Sequence, residues 1–187
     1  MSVIEYILLA LALSVPTAIV LRSSAKQSQV RLSQALIVVL LIALMHAAFL
    51  VLGMYLGNLF RFDIPSVDSL VYLGLFIVVA IKLMVPAFRH KEMKVQGYDI
   101  TRWSTAIALG VATGLNVLLI GIGLGFMVSP VEDKFKAAIP MVVILFVLGY
   151  WAVMLGRQKK SMKERRWLLI AVLFLLFSAI FNATDLM

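Results

Sequence analysis

Six long apolar runs occupy most of this 187-residue chain, and they constrain its fold more than any other feature. A transmembrane helix needs about 20 apolar residues, because each residue advances the helix by ~1.5 Å across a hydrocarbon core ~30 Å thick. We therefore predict an all-α, polytopic membrane protein with six transmembrane helices in one membrane domain. The predicted spans are Val3–Leu21, Gln34–Gly57, Ser69–Phe88, Ser104–Val128, Ile139–Gly156 and Leu168–Thr184.

The composition excludes the soluble classes of protein. Hydrophobic residues make up 63% of the chain and charged residues 14%, whereas soluble domains average roughly 45–50% and about 25%. The chain has no cysteine, which removes disulfides, thiolate metal sites and cysteine nucleophiles. Its acidic residues all lie in loops or at the ends of the runs, so the spans offer no paired acids for catalysis. We expect neither an enzyme nor a cofactor.

The basic residues predict which side of the membrane each loop faces. Thirteen of the seventeen lie in the first, third and fifth loops. Because cytoplasmic loops carry an excess of Lys and Arg, we place these three loops in the cytoplasm, with both termini outside a bacterial inner membrane. The expected partner of these loops is anionic lipid rather than nucleic acid. The thirteen are Arg22, Lys26, Arg31, Arg89, Lys91, Lys94, Arg102, Arg157, Lys159, Lys160, Lys163, Arg165 and Arg166.

Two segments of the chain match at an offset of 100 residues. Residues 12–20 of span one and 112–120 of span four each place small and hydroxyl side chains around one unusual residue, Pro16 or Asn116. Each half has three spans, an odd number, so the halves must cross the membrane in opposite directions. This is the inverted-repeat plan of many secondary transporters, whose binding site lies near the midplane. We predict repeats at about 1–98 and 99–187.

Polar side chains inside a span are costly in the bilayer and are therefore candidates for function. By position along the runs, Pro16, His46 and Asn116 fall near the bilayer centre, and Lys82 falls about two turns from the cytoplasmic end of span three. No metal site is assigned. The candidate substrate-binding residues are Asn116, Thr113, Ser14, Thr17, His46 and Lys82, with Pro16 as a helix kink.

Each candidate also has a purely structural interpretation. Asn116 either ligates an ion through its carbonyl oxygen or makes an interhelical hydrogen bond. His46 either serves as a proton acceptor or a ligand, or packs as a neutral, hydrogen-bonded side chain. Lys82 either neutralises an anionic substrate or extends its stem to the headgroups. Pro16 removes a backbone donor and kinks its helix. Either the carbonyls that it frees line a cavity, or the kink is purely structural.

Span four is rich in glycine, with pairs at the small-xxx-small spacing that permits close helix approach. We predict a helix-packing role for Gly110, Gly114, Gly121 and Gly125.

The glycine-rich segment Thr105–Phe126 resembles the fourth span of the manganese efflux pump family (MntP-like), within the LysE-type transporter superfamily. There the motif is Ala-Thr-Ser-Leu-Asp-Ala, followed by a run like Val-Gly-Val-Gly-Leu. Leu13–Ala18 is similar to the span-one motif Met-Ser-Met-Asp-Ala, and Lys82–Phe88 is similar to the end of span three. The resemblance covers essentially the whole chain. It implies a six-helix secondary transporter that exports manganese.

The chain departs from the family pattern at every membrane carboxylate. Pro16, His46, Pro86 and Asn116 stand where the family pattern has acidic residues, and only the basic position survives, as Lys82. Mn²⁺ prefers carboxylate, carbonyl and water ligands. Each missing anion in a low-dielectric site costs several kcal/mol, so we expect weak manganese transport or none.

Two functions remain open from the sequence. One is a secondary transporter of this family, with divalent-cation efflux implied by the resemblance. The other is a non-transporting membrane subunit that keeps the fold as a scaffold, packed in a larger complex or as a homodimer. A weaker third idea is export of an anionic or zwitterionic metabolite held by Lys82.

Overall fold

Six α-helices in antiparallel succession make up the fold, seen here in a computed structural model that describes residues 3–28, 30–60, 64–88, 97–127, 131–158 and 164–184. The described residues contain no strand, which confirms the all-α prediction. The helices are α1 (Val3–Gln27), α2 (Leu32–Leu59), α3 (Pro65–Phe88), α4 (Trp103–Met127), α5 (Val131–Arg157) and α6 (Glu164–Thr184).

Within the described residues, five of the helices are long and apolar enough to cross a membrane. The sixth predicted span lies within helix α6, and its crossing of the membrane stays a prediction. Large apolar side chains such as Leu40, Ile77 and Val143 are exposed on the outer surface. An outward apolar face of this kind contacts lipid tails in a membrane protein. The spanning helices are Val3–Gln27, Leu32–Leu59, Val67–Val85, Trp103–Met127 and Phe135–Arg157.

The helices extend past the apolar runs that predicted them. The largest difference is in α5, which begins at Val131 rather than at Ile139, so Pro140 lies inside the helix rather than at its start. Helical hydrogen bonding continues where the chain is charged, whereas hydropathy marks only the part suited to lipid. The predicted end of span four, Val128, lies outside the described residues.

The helix interfaces have a regular pattern. The largest are α2–α4 and α1–α5, the smaller ones are α2–α5, α3–α4, α1–α6 and α3–α6, and α1 touches α4 only slightly. These interfaces are related by a simple exchange of helices. If α1 is exchanged with α4, α2 with α5 and α3 with α6, every interface becomes another interface of the same set or remains the same one. The slight contact between α1 and α4 leaves space between the two helices that carry the matching segments.

Glycines repeat this pattern at the two largest interfaces. A Cβ at Gly57 of α2 would meet the carbonyl oxygen of Ile122 in α4, and a Cβ at Gly156 of α5 would meet the carbonyl oxygen of Arg22 in α1. Ile122 and Arg22 are 100 positions apart, the same offset as the matching segments. Only glycine permits this backbone approach.

The glycines of α4 face α2. Gly121 and Gly125 approach the backbone carbonyls of Leu50 and Met54, while Gly110 and Gly114 approach the side chains of Met45 and Phe49. The small-xxx-small pairs therefore fix how closely α4 lies to α2. This in turn fixes the position of the opposite, polar face of α4.

Candidate functional site

A cavity of about 250 Å³ lies between α1, α3 and α4. It is lined by the second half of α1, the last turns of α3 and the first half of α4, and these segments all face the side of the basic loops. The lining residues are Leu13, Pro16, Thr17, Val20, Lys82, Leu83, Tyr98, Leu109, Ala112, Thr113 and Asn116.

Pro16 and Asn116 line the same cavity, from helices α1 and α4. They occupy equal places in the two matching segments, 100 positions apart. Four of the six candidate binding residues also line it: Asn116, Thr113, Thr17 and Lys82. Ser14 and His46 do not belong to the lining and are fully buried behind it.

Asn116 presents an unsatisfied acceptor in this cavity. Its side-chain oxygen Oδ1 is buried and has no hydrogen-bond partner in the described structure. A buried polar atom without a partner costs about 1–3 kcal/mol, so it marks a position where water or a ligand is expected. One turn earlier, the Thr113 hydroxyl donates to the Leu109 carbonyl at 2.8 Å. Its oxygen lone pairs remain available as acceptors.

His46 supports the cavity wall from behind. Its Nδ1 donates to the Ile42 carbonyl at 2.8 Å, and its Nε2 lies 3.4 Å from the Thr17 hydroxyl. The ring also lies beside the backbone of Thr113. One imidazole of α2 thus contacts polar groups of α1 and α4 on the two sides of the cavity, and it fixes their spacing.

The α1 wall of the cavity contains an interruption in helical hydrogen bonding. Pro16 lies inside the helix and has no backbone N–H, so the carbonyl of Ala12 loses its helical donor. Ser14, two residues earlier, has a buried hydroxyl with no partner in the described structure. The centre of α1 therefore contains a carbonyl without its helical donor and a hydroxyl without a partner in the described structure.

The cavity wall carries one cation and no acidic side chain among the described residues. Lys82 belongs to the lining, and its side chain is exposed. No group of three or more His, Asp or Glu residues that could hold a metal ion occurs in the described part of the chain. The side chain of Pro86, the fourth position where the family pattern has an acid, lies outside the described residues.

Tyr98 lines the cavity at its basic-loop end. Its backbone N–H donates to the Ser24 hydroxyl at 3.1 Å. Next to it, a Cβ at Gly97 would lie 2.7 Å from the Ser23 carbonyl oxygen. The segment before α4 is therefore docked on the last turns of α1, and it places an aromatic side chain at the end of the cavity.

Asp99 holds the same segment in a turn. Its carboxylate accepts hydrogen bonds from the Thr101 hydroxyl and, at 3.1 Å, from the Thr101 backbone N–H. These two bonds hold the pKa of Asp99 below its usual value, with a smaller contribution from Arg102. Asp99 thus stays ionised at neutral pH, and it orders the chain between Tyr98 and α4.

The sequence did not indicate Tyr98, Ala112 or Leu109 as parts of the site. Tyr98 lies in a loop, which a search of the spans for polar residues passes over, and the other two are ordinary apolar residues of α4. For these two the available signal was spacing, because Leu109 precedes Thr113 by four residues and Ala112 precedes Asn116 by four, and residues at i and i+4 share a helix face.

The described helices and this polar cavity define a helical membrane protein, and binding sites near the midplane are a feature of many secondary transporters. A family model described as "Putative manganese efflux pump" matches residues 29–181, and the chain belongs to this family. It is also similar to the "Putative manganese efflux pump MntP" of Oleidesulfovibrio alaskensis (strain ATCC BAA-1058 / DSM 17464 / G20), with 27% identity over 118 residues.

The alignment with that relative covers 63% of this chain and 59% of the relative. No solved structure matches the chain. The family membership confirms the resemblance seen in the sequence and agrees with an integral membrane location.

Proposed function

We propose that this chain is a secondary transporter of the manganese efflux pump family and that the cavity between α1, α3 and α4 is its substrate chamber. The observation that carries the proposal is a cavity of about 250 Å³ that is lined by Asn116, whose buried Oδ1 has no hydrogen-bond partner in the described structure. A scaffold gains nothing from an open, polar centre, since a well-packed apolar core is the more stable arrangement. A transporter needs such a space near the midplane.

The chamber opens towards the cytoplasm in this proposal. Its lining runs from the middle of α1 and α4 and the last turns of α3 to Tyr98 in loop three, towards the loops rich in Lys and Arg. The positive-inside rule places these loops in the cytoplasm and both termini outside. An exporter must collect its substrate from this side.

The two halves of the chain form an inverted repeat in this proposal, with the boundary near residue 98. Support comes from the exchange pattern of the helix interfaces and from two matching glycine contacts, Gly57–Ile122 and Gly156–Arg22, in which the glycines are 99 and their partners 100 positions apart. Movement of one repeat against the other would then open the chamber to the opposite side.

Mn²⁺ is a poor substrate for this chamber. A hard divalent cation binds to carboxylate, carbonyl and water oxygens, and the described lining offers a lysine ammonium and no carboxylate. The neutral oxygens of Asn116 and Thr113 do not neutralise two positive charges, and Lys82 repels them. We therefore propose that this member of the family transports manganese weakly or not at all.

Expression in a manganese-sensitive host that lacks its own exporter tests this proposal. We expect no rescue by the wild type and partial rescue by the double variant Pro16→Asp/Asn116→Asp, because the new carboxylates converge on one cavity. Leu115→Asp, on the outer face of α4, is the matched control and should give no rescue. Full rescue by the wild type, abolished by Asn116→Ala, would show that neutral ligands are sufficient.

A further inference from the structure

We infer that the chamber binds a small carboxylate that carries its own hydrogen-bond donor. This inference rests on the proposed function, because it names the substrate class of the same cavity.

The first observation is the charge of the chamber. Lys82 is the one charged side chain among the described lining residues, and neither an acidic side chain nor a histidine lines the cavity beside it. An ammonium group at the wall of a membrane cavity requires a counter-charge or water. The chamber therefore attracts anions and repels metal cations.

The second observation is a set of unused hydrogen-bond acceptors at the inner end of the cavity. Asn116 Oδ1 is buried and unpartnered, and the Thr113 hydroxyl uses its hydrogen on the Leu109 carbonyl. The Ala12 carbonyl lacks a helical donor because of Pro16. A ligand hydroxyl or ammonium group that reaches this end would supply these acceptors with a donor.

The third observation is the distance between these two ends. Lys82 precedes the end of α3 by six residues, ~9 Å of helix, and Asn116 follows the beginning of α4 by thirteen residues, ~20 Å. With the end of α3 and the beginning of α4 taken at one depth, the two backbones differ in depth by roughly 10 Å, which the flexible lysine stem shortens. A carboxylate at Lys82 and a donor a few bonds away reach both groups.

The fourth observation is the size of the cavity. At ~30 Å³ for each water molecule, about 250 Å³ holds roughly eight waters. This space accommodates a molecule of about eight non-hydrogen atoms, which includes three-carbon acids. Lactate has a hydroxyl donor, alanine has an ammonium donor, and propionate has the same carbon skeleton with neither.

The test is the thermal unfolding of the purified protein in detergent with each of these three probes. A ligand that binds only the folded state raises the unfolding temperature. We expect stabilisation by lactate, by alanine or by both, and none by propionate. Stabilisation by lactate alone identifies a hydroxyl donor, and stabilisation by alanine alone identifies an ammonium donor.

Two variants with one positive charge fewer complete the test. Lys82→Gln should weaken binding about tenfold or more, as expected for a lost charge-assisted hydrogen bond. Arg165→Gln, on an exposed side chain at the start of α6 and outside the cavity, should bind as the wild type does. Equal binding of propionate, unchanged binding by Lys82→Gln, or no binding of any probe would overturn the inference.

Proteoliposome counterflow with the probe that binds separates this inference from the proposed function. Exchange across the membrane supports both. Binding without exchange would contradict the transporter function and leave the ligand class intact. Absence of binding, in a protein whose chamber accepts water-soluble reagents, would contradict the ligand class alone.

Discussion

At the residue scale, the central contact of the site is the one between Thr17 and His46. It joins α1 to α2 in a fully buried position, and the ring nitrogen opposite it is already used on the Ile42 carbonyl. The sequence identified both residues, because polar groups in apolar runs stand out. It left open whether His46 touches substrate or supports the fold, since its buried position depends on how α2 is rotated.

Thr17→Val should destabilise the protein by about 1 kcal/mol, because the isosteric side chain leaves the buried His46 Nε2 without the hydroxyl. The measurement is unfolding in a detergent titration. Thr105→Val on α4 is the control, since the Thr105 hydroxyl makes no hydrogen bond to another helix among the described residues. Equal stability of the two variants would contradict a stabilising Thr17–His46 contact.

Asn116 and Lys82 differ from His46 in what the sequence could predict. The sequence identified both as polar side chains within apolar spans. It did not predict the cavity that both residues line or the position of Tyr98 at the end of that cavity. Both depend on the slight contact between α1 and α4, and no residue pattern within one helix encodes the separation of two helices. The missing carboxylates were evident from the sequence, because they required only a comparison of residue types.

At the element scale, backbone contact between helices sets the geometry of the bundle. The glycine spacing in α4 predicted close packing, but it did not identify α2 as the partner. The early start of α5 was also missed, because hydropathy locates the part of a helix that lies in lipid and not the charged turns before it.

Gly57→Ala should destabilise the protein by roughly 1–3 kcal/mol, the usual range for overpacking. The new methyl would meet the Ile122 carbonyl and lie 2.9 Å from the Gly125 Cα, both of which are backbone. The measurement is again unfolding in detergent. Gly156→Ala should behave in the same way, because it faces the Arg22 carbonyl.

Gly74→Ala provides the matched control for these variants. No atom lies within 4 Å of a Cβ built at Gly74 in α3. Alanine is favoured over glycine in helices by up to about 1 kcal/mol, so this variant should be neutral or more stable. A comparable loss of stability at Gly57 and Gly74 would show that helix approach is not the cause.

At the scale of the whole molecule, the side to which the chamber opens depends on the direction in which the helices cross the membrane. The basic asymmetry predicts that the start of α6 is cytoplasmic and the end of α2 external. Single cysteines on this cysteine-free background test it with a membrane-impermeant maleimide. Arg165→Cys should be labelled from inside-out vesicles only, and Phe60→Cys from intact cells only. The reverse result would invert the topology.

The proposed water-filled substrate chamber is tested by its accessibility to a membrane-impermeant thiol reagent. Ala112→Cys places a thiol in the cavity lining, and Leu115→Cys places one on the exposed apolar face of the same helix. A thiol reacts as its thiolate, which forms in water and not in lipid. We expect an impermeant reagent to label Ala112→Cys from the same side as Arg165→Cys, and not to label Leu115→Cys. An Ala112→Cys thiol that stays unreactive while Arg165→Cys is labelled would contradict a water-filled substrate chamber.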